Sequence, residues 1–486
     1  MSRLLPVKKA VLDLKRRRVL GRAQMPSPAG FDVLKGPDGA YLLGPDGAFL
    51  LGPNLPSSAK SAIVSVDLTS LGSTIPADFV SISAEVGDFA SRGMYQSTTG
   101  SMGSYIGCLS LLGSNGKFRI GGGSSNTATT PAFAQVNANS LASFLAAVGS
   151  GWSLIYGLDL VANDSSTAAT QAGYLNNAFG TKAIFQMCNE PFTGGSFTVG
   201  NYQTAWNSYY TAITGAVAAA KFGACDDNNQ TTSQTAIPGL TPGLAGLSLV
   251  SIHNYSAVGG NGTVTDWPSL LASSLTTDFN IIYPYTSAGG IPLILSETNS
   301  LSNGGQLGIS DRLMAQAWFI NNAIRTAKIG WAGMCVHSTY SFNGGQGVYN
   351  PLVQQGNGNF KPSPVFYGMY LFSRIAGKQI AASTQGGTAY INSIAVKQAN
   401  NQAAILVVNN ENSNTAYIKP MQSAAWATAT VLLSRDGDGA GATSASPILG
   451  GQAIGESGVW SGTTFTINNG DTVAIPPCGA ALISIQ

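Results

Sequence analysis

AIFQMCNEP, residues 183–191, is the stretch from which the rest of the chain becomes readable. Ala183 to Met187 form a short, almost wholly apolar run, too short for a helix and rich enough in Ile and Phe for a strand. It stops at Asn189, Glu190 and Pro191, so an amide and a carboxylate sit where the chain turns. Six further runs share this design: FVSISAEV (79–86), FRIGG (118–122), SLIYGLDL (153–160), LSLVSIHNY (247–255), PLILSETN (292–299) and GWAGMCVHS (330–338). Amphipathic helical stretches separate several of them, among them NSLASFLAAV (139–148), NYQTAWNSYYTAITGAVAAAK (201–221) and SDRLMAQAWFINNAIRTAK (310–328). Strands that are apolar throughout, alternating with helices, predict a parallel sheet covered on both faces. Seven marked strands, with an eighth expected within 222–245, predict an α/β fold: a closed (β/α)8 TIM barrel over residues 76–374.

The flanks read differently. Beyond Ala376 the helices stop, and short alternating runs such as AILVVNN, TATVLLS, TFTIN and AALISIQ are spaced by Gly, Asn and Asp turns. That pattern predicts a C-terminal antiparallel β-sandwich over 375–486, completed by residues 61–75 with IVSVDLTS (63–70) as an extra strand. Residues 1–60 form a third segment. Basic side chains gather before Arg22, followed by GPDGAYLL (36–43), GPDGAFLL (44–51) and the start of a third copy, GPNL. Pro-Asp-Gly is turn chemistry. The segment is either a linker or a docking arm that packs Tyr41-Leu42-Leu43 and Phe49-Leu50-Leu51 on a protein partner or larger particle.

Composition narrows the function. Of 486 residues only 9% are charged, and the net charge is +2, where an average domain has about 25% charged residues. A net charge of +2 gives no long-range field that would gather nucleic acid, so no nucleic-acid partner is expected. No run of about 18 apolar residues occurs, so no membrane span is expected. Five scattered cysteines contain no CxxC pair, and His253 and His337 are the only histidines. Neither a metal site, a cofactor nor a Ser-His-Asp triad is therefore expected. Two disulfides with one thiol, or five buried thiols, both suit the cysteines. In the opening MSRLLPVKKAVLDLKRRRVLG, charges at Lys8, Lys9, Asp13 and Lys15 to Arg18 interrupt any apolar core of a secretory signal. Export by that route is not expected, which leaves the location open, including an extracellular or particle-associated one.

Polar residues collect at the C-terminal ends of the proposed barrel strands: Glu85, Arg119, Asp159, Asn189, Glu190, His253, Tyr255, Glu297 and His337. In a barrel those ends form one shared mouth. Glycosidic cleavage needs one carboxyl group that protonates a leaving oxygen and a second that attacks the anomeric carbon. In retaining enzymes the pair stands ~5–5.5 Å apart. Glu190 as acid/base and Glu297 as nucleophile, held ionised by neighbours such as Tyr255, are the expected pair. Arg119 is expected as a structural residue beneath the site, bonded to acids, and Asp159 as a hydrogen-bonded support. Trp152, Trp206, Trp267, Trp318 and Trp331 read mostly as core by pattern; Trp267, in a loop after GNGTVTD, is the one candidate for a sugar-stacking platform.

The segments FRIGGGSSNTA, SLIYGLDLVAND, AIFQMCNEPF, SIHNYS and LILSETNSLSNGG, then GISDRLMAQAWFINNA, resemble glycoside hydrolase family 79, the β-glucuronidases and heparanase relatives. The likeness keeps its order from about residue 63 to the C-terminus, through KPSPVFYGMYLF and PPCGAALISI. It implies a retaining mechanism and a substrate carrying β-linked glucuronic acid. It further implies that Asn189 bonds the sugar 2-hydroxyl, and that His253 and Tyr255 stand near the nucleophile. Backbone amides of Gly304 and Gly305, with the Tyr349 hydroxyl, would hold the uronic carboxylate. Glu85 is the remaining substrate-binding candidate. A neutral-sugar β-glycosidase of the same clan is the nearest rival. A particle-attached carbohydrate-binding protein that keeps the barrel is the rival from another class.

Overall fold

The computed structural model describes residues 59–127, 134–276, 281–340 and 345–486. The segment expected as linker or docking arm lies outside the described residues as far as Ser58. Eight strands close a parallel barrel in chain order: β2 (Val80–Glu85), β3 (Asn115–Gly121), β4 (Gly151–Leu158), β5 (Ala183–Met187), β6 (Lys221–Asp227), β7 (Leu249–Ala257), β8 (Leu293–Leu301) and β9 (Gly333–Ser338). The unmarked eighth strand is β6, KFGACDD, at the very start of the expected window. Its Gly, Ala and Cys give a weak strand signal, and the window beyond it forms the helix Gln230–Ala236 and 3-10 turns.

Period-2 alternation explains how the barrel is filled. Ile155, Ile184, Leu249, Ile294 and Cys335 pack together as one apolar layer. Two residues further along their strands come Gln186, Ser251, Ser296 and His337, all buried. The interior therefore changes from apolar to polar within one step of the pleat. The helices outside are fixed by ordinary caps: Asp164 accepts from the Thr167 amide and Thr198 from the Asn201 amide at the first turns of Ser165–Phe179 and Val199–Ala216.

The second sheet begins with β1 (Lys60–Thr74). After the hairpin β10 (Leu352–Gln354) and β11 (Phe360–Pro362) it continues through β12 (Gln379–Gly387), β13 (Ile391–Lys397), β14 (Ala403–Asn409), β15 (Ala416–Gln422) and β16 (Thr428–Asp436). β17 (Pro447–Leu449), β18 (Phe465–Asn468), β19 (Val473–Ile475) and β20 (Ala480–Ile485) complete it. The strands form one hydrogen-bonded sheet, β17-β16-β20-β14-β13-β12-β1-β15-β19, with β18 on β16. The expected sandwich is thus joined edge to edge into one sheet that curls over until Ile467 of β18 and Val473 of β19 share a core. All its pairings are antiparallel except β1 with β15.

The faces of this sheet do different things. Val64, Val66, Ile405, Val407, Ile418 and Ile483 point into its own core, while Ile394, Leu406, Val408 and Leu482 join the core of the barrel. The helix Leu313–Lys328, amphipathic by pattern, is consequently buried on nearly every side. Its polar positions are satisfied across the junction: Ser434 Oγ donates to Gln316 Oε1 (2.6 Å) and Asn321 Nδ2 to Asn410 Oδ1 (2.8 Å). All five cysteines are buried free thiols. Among the described residues no helix is long and apolar enough to cross a membrane.

Candidate active site

Arg119 organises the floor of the mouth. Its guanidinium is fully buried and uses all three nitrogens. Nη1 donates to Ser83 Oγ (2.9 Å) and Glu297 Oε2 (2.7 Å), Nη2 to Asn189 Oδ1 (2.7 Å) and Asp226 Oδ2 (2.5 Å), and Nε to Gln186 Oε1 (3.2 Å). Five side chains, from β2, β5 and its end, β6 and β8, are thereby tied to one planar group. Space for it comes from Gly121, where a Cβ would lie 2.6 Å from the guanidinium carbon.

Glu297 comes from the middle of β8 and is buried. Tyr255 donates its hydroxyl to Oε1 across 2.8 Å, and His337 Nδ1 lies 3.7 Å from Oε2. Burial would raise its pKa. His337, His253 and Arg119, with the Tyr255 hydroxyl, outweigh that term and hold the carboxyl well below the usual carboxylate range.

Glu190 does not close its strand. β5 ends at Met187, and both Cys188 (φ 73°) and Glu190 (φ 49°) take left-handed backbone, as does Asp226 (φ 62°). Three such non-glycine residues at one place cost energy that the surrounding bonds must overcome. The Glu190 amide donates to the Asp226 carbonyl (2.8 Å), and Asp227 accepts from the amides of Phe192 (2.6 Å) and Thr193 (3.1 Å). So fixed, the Glu190 side chain keeps 28% exposure, and its Oε1 lies 3.0 Å from His253 Nδ1. The other ring nitrogen, Nε2, lies 3.0 Å from Asp226 Oδ1. Burial alone would discharge this imidazole; Asp226 and Glu297 more than offset it and push its pKa up to about 10.

The remaining candidates divide. Asn189 is in the cluster: Arg119 holds its Oδ1, and Asn126 brackets its backbone, accepting from the amide (2.8 Å) and donating to the carbonyl (2.5 Å). With Oδ1 taken, the amino group of Asn189 is the donor left for a ligand. Glu85 faces His337 (Oε1 to Nε2, 3.2 Å) and accepts from Ser124. Tyr349 stacks on Tyr255, ring centroids 6.4 Å apart at 23°. Gly304 and Gly305 both have positive φ, but the Gly305 amide already donates to the Ser302 carbonyl (3.1 Å). Of the two amides expected to bind a carboxylate, that one is committed to a turn. Asp159 stands apart, its Oδ1 accepting from the Ala162 amide (2.9 Å). Trp267 is not a sugar platform. It is 1% exposed and donates Nε1–H to the Asn410 carbonyl, because the second sheet packs over it.

Sequence reasoning missed Asp226, which joins Arg119 to His253 and also accepts from Ser296 Oγ (2.6 Å). The signal was present as Cys225-Asp226-Asp227, two acids closing a small-residue run in a charge-poor chain. Ser83, Asn126 and Gln186 carried no signal; only their position under Arg119 and Asn189 gives them a role. Glu190, His253 and Glu297 bring one potential ligand atom each within 4.8 Å of one another. Both ring nitrogens of His253 already face carboxylate oxygens at 3.0 Å, so the group is two carboxylates with an imidazole beside them.

Solved structures that match include a 4-O-α-L-rhamnosyl-β-D-glucuronidase from Fusarium oxysporum 12S, at 16% identity over 86% of this chain and 100% of that one, TM-score 0.65. A GH51 arabinofuranosidase from Xanthomonas axonopodis pv. citri matches at 14% identity, 88% and 100% coverage and TM-score 0.64. The GH39 enzyme of the same organism matches at 11%, 89% and 99%, TM-score 0.56. The fold is the one these glycoside hydrolases share. No family model and no curated protein matches the sequence.

Proposed function

We propose that this protein is a retaining glycoside hydrolase in which Glu190 is the acid/base and Glu297 the nucleophile. One observation carries the reading: carboxylate oxygens of the two residues lie within 4.8 Å of each other. That is nearer the ~5–5.5 Å carboxyl separation of double displacement than the ~6.5–9.5 Å that inverting enzymes leave for a water. In the first step Glu190 gives its proton to the glycosidic oxygen as the carbon–oxygen bond breaks and Glu297 bonds the anomeric carbon. In the second, water attacks that carbon, Glu190 takes the proton, and Glu297 leaves. In this reading the Asn189 amino group bonds the 2-hydroxyl, and Arg119 with Tyr255 keeps Glu297 charged and aimed.

The sugar we propose is β-linked glucuronic acid, in line with family 79. The Fusarium oxysporum structure is by its description a β-D-glucuronidase in complex with Rha-GlcA, which supports that reading. Tyr349, stacked beside Tyr255, and the Gly304 amide would carry the carboxylate. A neutral sugar is the second reading, favoured by the Gly305 amide being bonded to Ser302. Hydrolysis of 4-nitrophenyl β-D-glucuronide against the β-glucoside, β-xyloside and α-L-arabinofuranoside decides between them, with Glu297→Gln as control. Turnover of the glucuronide alone supports the uronide; turnover of a neutral glycoside with the glucuronide inert removes it. An arm at 1–60 that attaches the enzyme to a particle remains compatible with either sugar.

A further inference from the structure

The chain has two histidines, and both stand in this one mouth, each beside a carboxylate that is not the nucleophile. His337 serves Glu85 and Ser83. His253 is fully enclosed between Glu190 on the loop after β5 and Asp226 on β6, with Glu297 of β8 next to it. Arg119 from β3 lies on the far side of Asp226 and Glu297, and His337 from β9 beyond Glu297. Three potential cations thus meet four carboxylates, while Asp227, a fifth, accepts from the Phe192 and Thr193 amides of the loop that carries Glu190. Glu190 is the most exposed of the four side chains, at 28%, against 16% for Glu85, 9% for Glu297 and 1% for Asp226. It is the carboxylate best placed to exchange a proton with a ligand.

We infer that His253 is a positioning residue for Glu190: a fixed cation, anchored by Asp226, whose Nδ1–H holds Oε1 and stabilises the carboxylate left when Glu190 gives its proton to the leaving group. The inference rests on the reading of Glu190 as acid/base. His253 keeps both of its protons through the cycle. The transferred proton travels from the other oxygen of Glu190 to the glycosidic oxygen, and returns from water in the second step. Asp226 supplies the counter-charge that lets an imidazolium persist in a buried place, and a positive charge within a few ångströms favours the ionised carboxylate.

Two measurements test this. With 15N-labelled histidine, the two imidazoles of the intact chain give two sets of ring signals, assigned with His253→Gln. Both His253 nitrogens should stay protonated from about pH 5 to pH 9, and Asp226→Asn should bring the ring back to titration near its ordinary value of ~6.5. A neutral His253 ring at pH 7 in the unaltered protein overturns the proposal. Kinetically, His253→Gln should slow an alkyl glycoside, whose leaving group needs the proton, at least about tenfold more than the 4-nitrophenyl glycoside. Equal losses on both substrates mean that His253 only packs, and the proposal fails. Glu190→Gln keeps that failure separate: if it spares the alkyl glycoside, the acid/base reading itself falls, whatever His253 does.

Discussion

Arg119 donates from Nη1 to Oε2 of Glu297 across 2.7 Å, joining β3 to β8 over 178 residues of sequence. The same guanidinium holds Asp226 and Asn189, so one side chain sets the charge of one residue beside the sugar and the orientation of another. Replacing it by Met leaves two buried carboxylates without their partner. The expected loss is about 3–5 kcal/mol of unfolding free energy, the scale for breaking a buried ion pair by removing one member. Urea unfolding measures it. Arg119→Lys should recover only part, because a single ammonium cannot span acceptors on five side chains; recovery to the level of the unaltered protein would show that geometry is irrelevant there.

Tyr255→Phe removes the hydroxyl that Oε1 of Glu297 accepts while leaving the ring stacked on Tyr349. A hydrogen bond to a charged group contributes about 1.5–3 kcal/mol, so kcat/KM should fall roughly ten- to a hundredfold with the thermal midpoint nearly unchanged. Activity assays and a melting curve on the same preparation check both halves. A fall in stability with activity intact would move Tyr255 from the chemistry to the scaffold.

Gly122→Ala should disable the site from outside the reacting groups. Gly122 has φ 77°, which disfavours any side chain, and an added Cβ would collide with the Glu85 carboxylate. Glu85 must then leave His337, whose raised pKa depends on Glu297 and Glu85 once burial is overcome. The expected outcome is reduced kcat/KM and a His337 ring that titrates lower, visible by the same labelled-histidine spectra. Unchanged His337 titration would mean that Glu85 relaxes without loss.

Stability should depend on pH with a definite sign. His253 has a folded pKa of about 10 against ~6.5 unfolded. Its contribution is therefore complete below about pH 6.5 and is lost as pH rises from there through about 10. Glu297 is shifted downward, so its contribution is present above the unfolded ~4.3 and is lost as pH falls through its folded value. Melting midpoints should peak between these windows. The gap between the unaltered protein and His253→Gln should shrink from pH 6.5 towards 10. Parallel curves over that range would show that His253 is not charged in the folded state.

What the sequence determined by itself was the set of local preferences. Apolar runs ending in polar residues marked seven barrel strands, the turn-spaced alternation beyond Ala376 marked the second sheet, and Glu190 and Glu297 stood out because acids are scarce. These are near-neighbour properties, written in period and composition. The β6 strand escaped because Gly223, Ala224 and Cys225 have little strand preference, and it acquires its place only by pairing between β5 and β7. Tertiary structure alone decided the rest. The curl of the second sheet buried Trp267 and nearly all of the helix Leu313–Lys328, which pattern had left half exposed. The meeting of Arg119 with Asp226, His253 and Glu297 needed a closed barrel, which brings β3 within hydrogen-bond reach of β6 and β8 on its other side. Charge at such a place is a property of the assembled group: each of these side chains is ordinary in the sequence, and burial beside the others makes it a site.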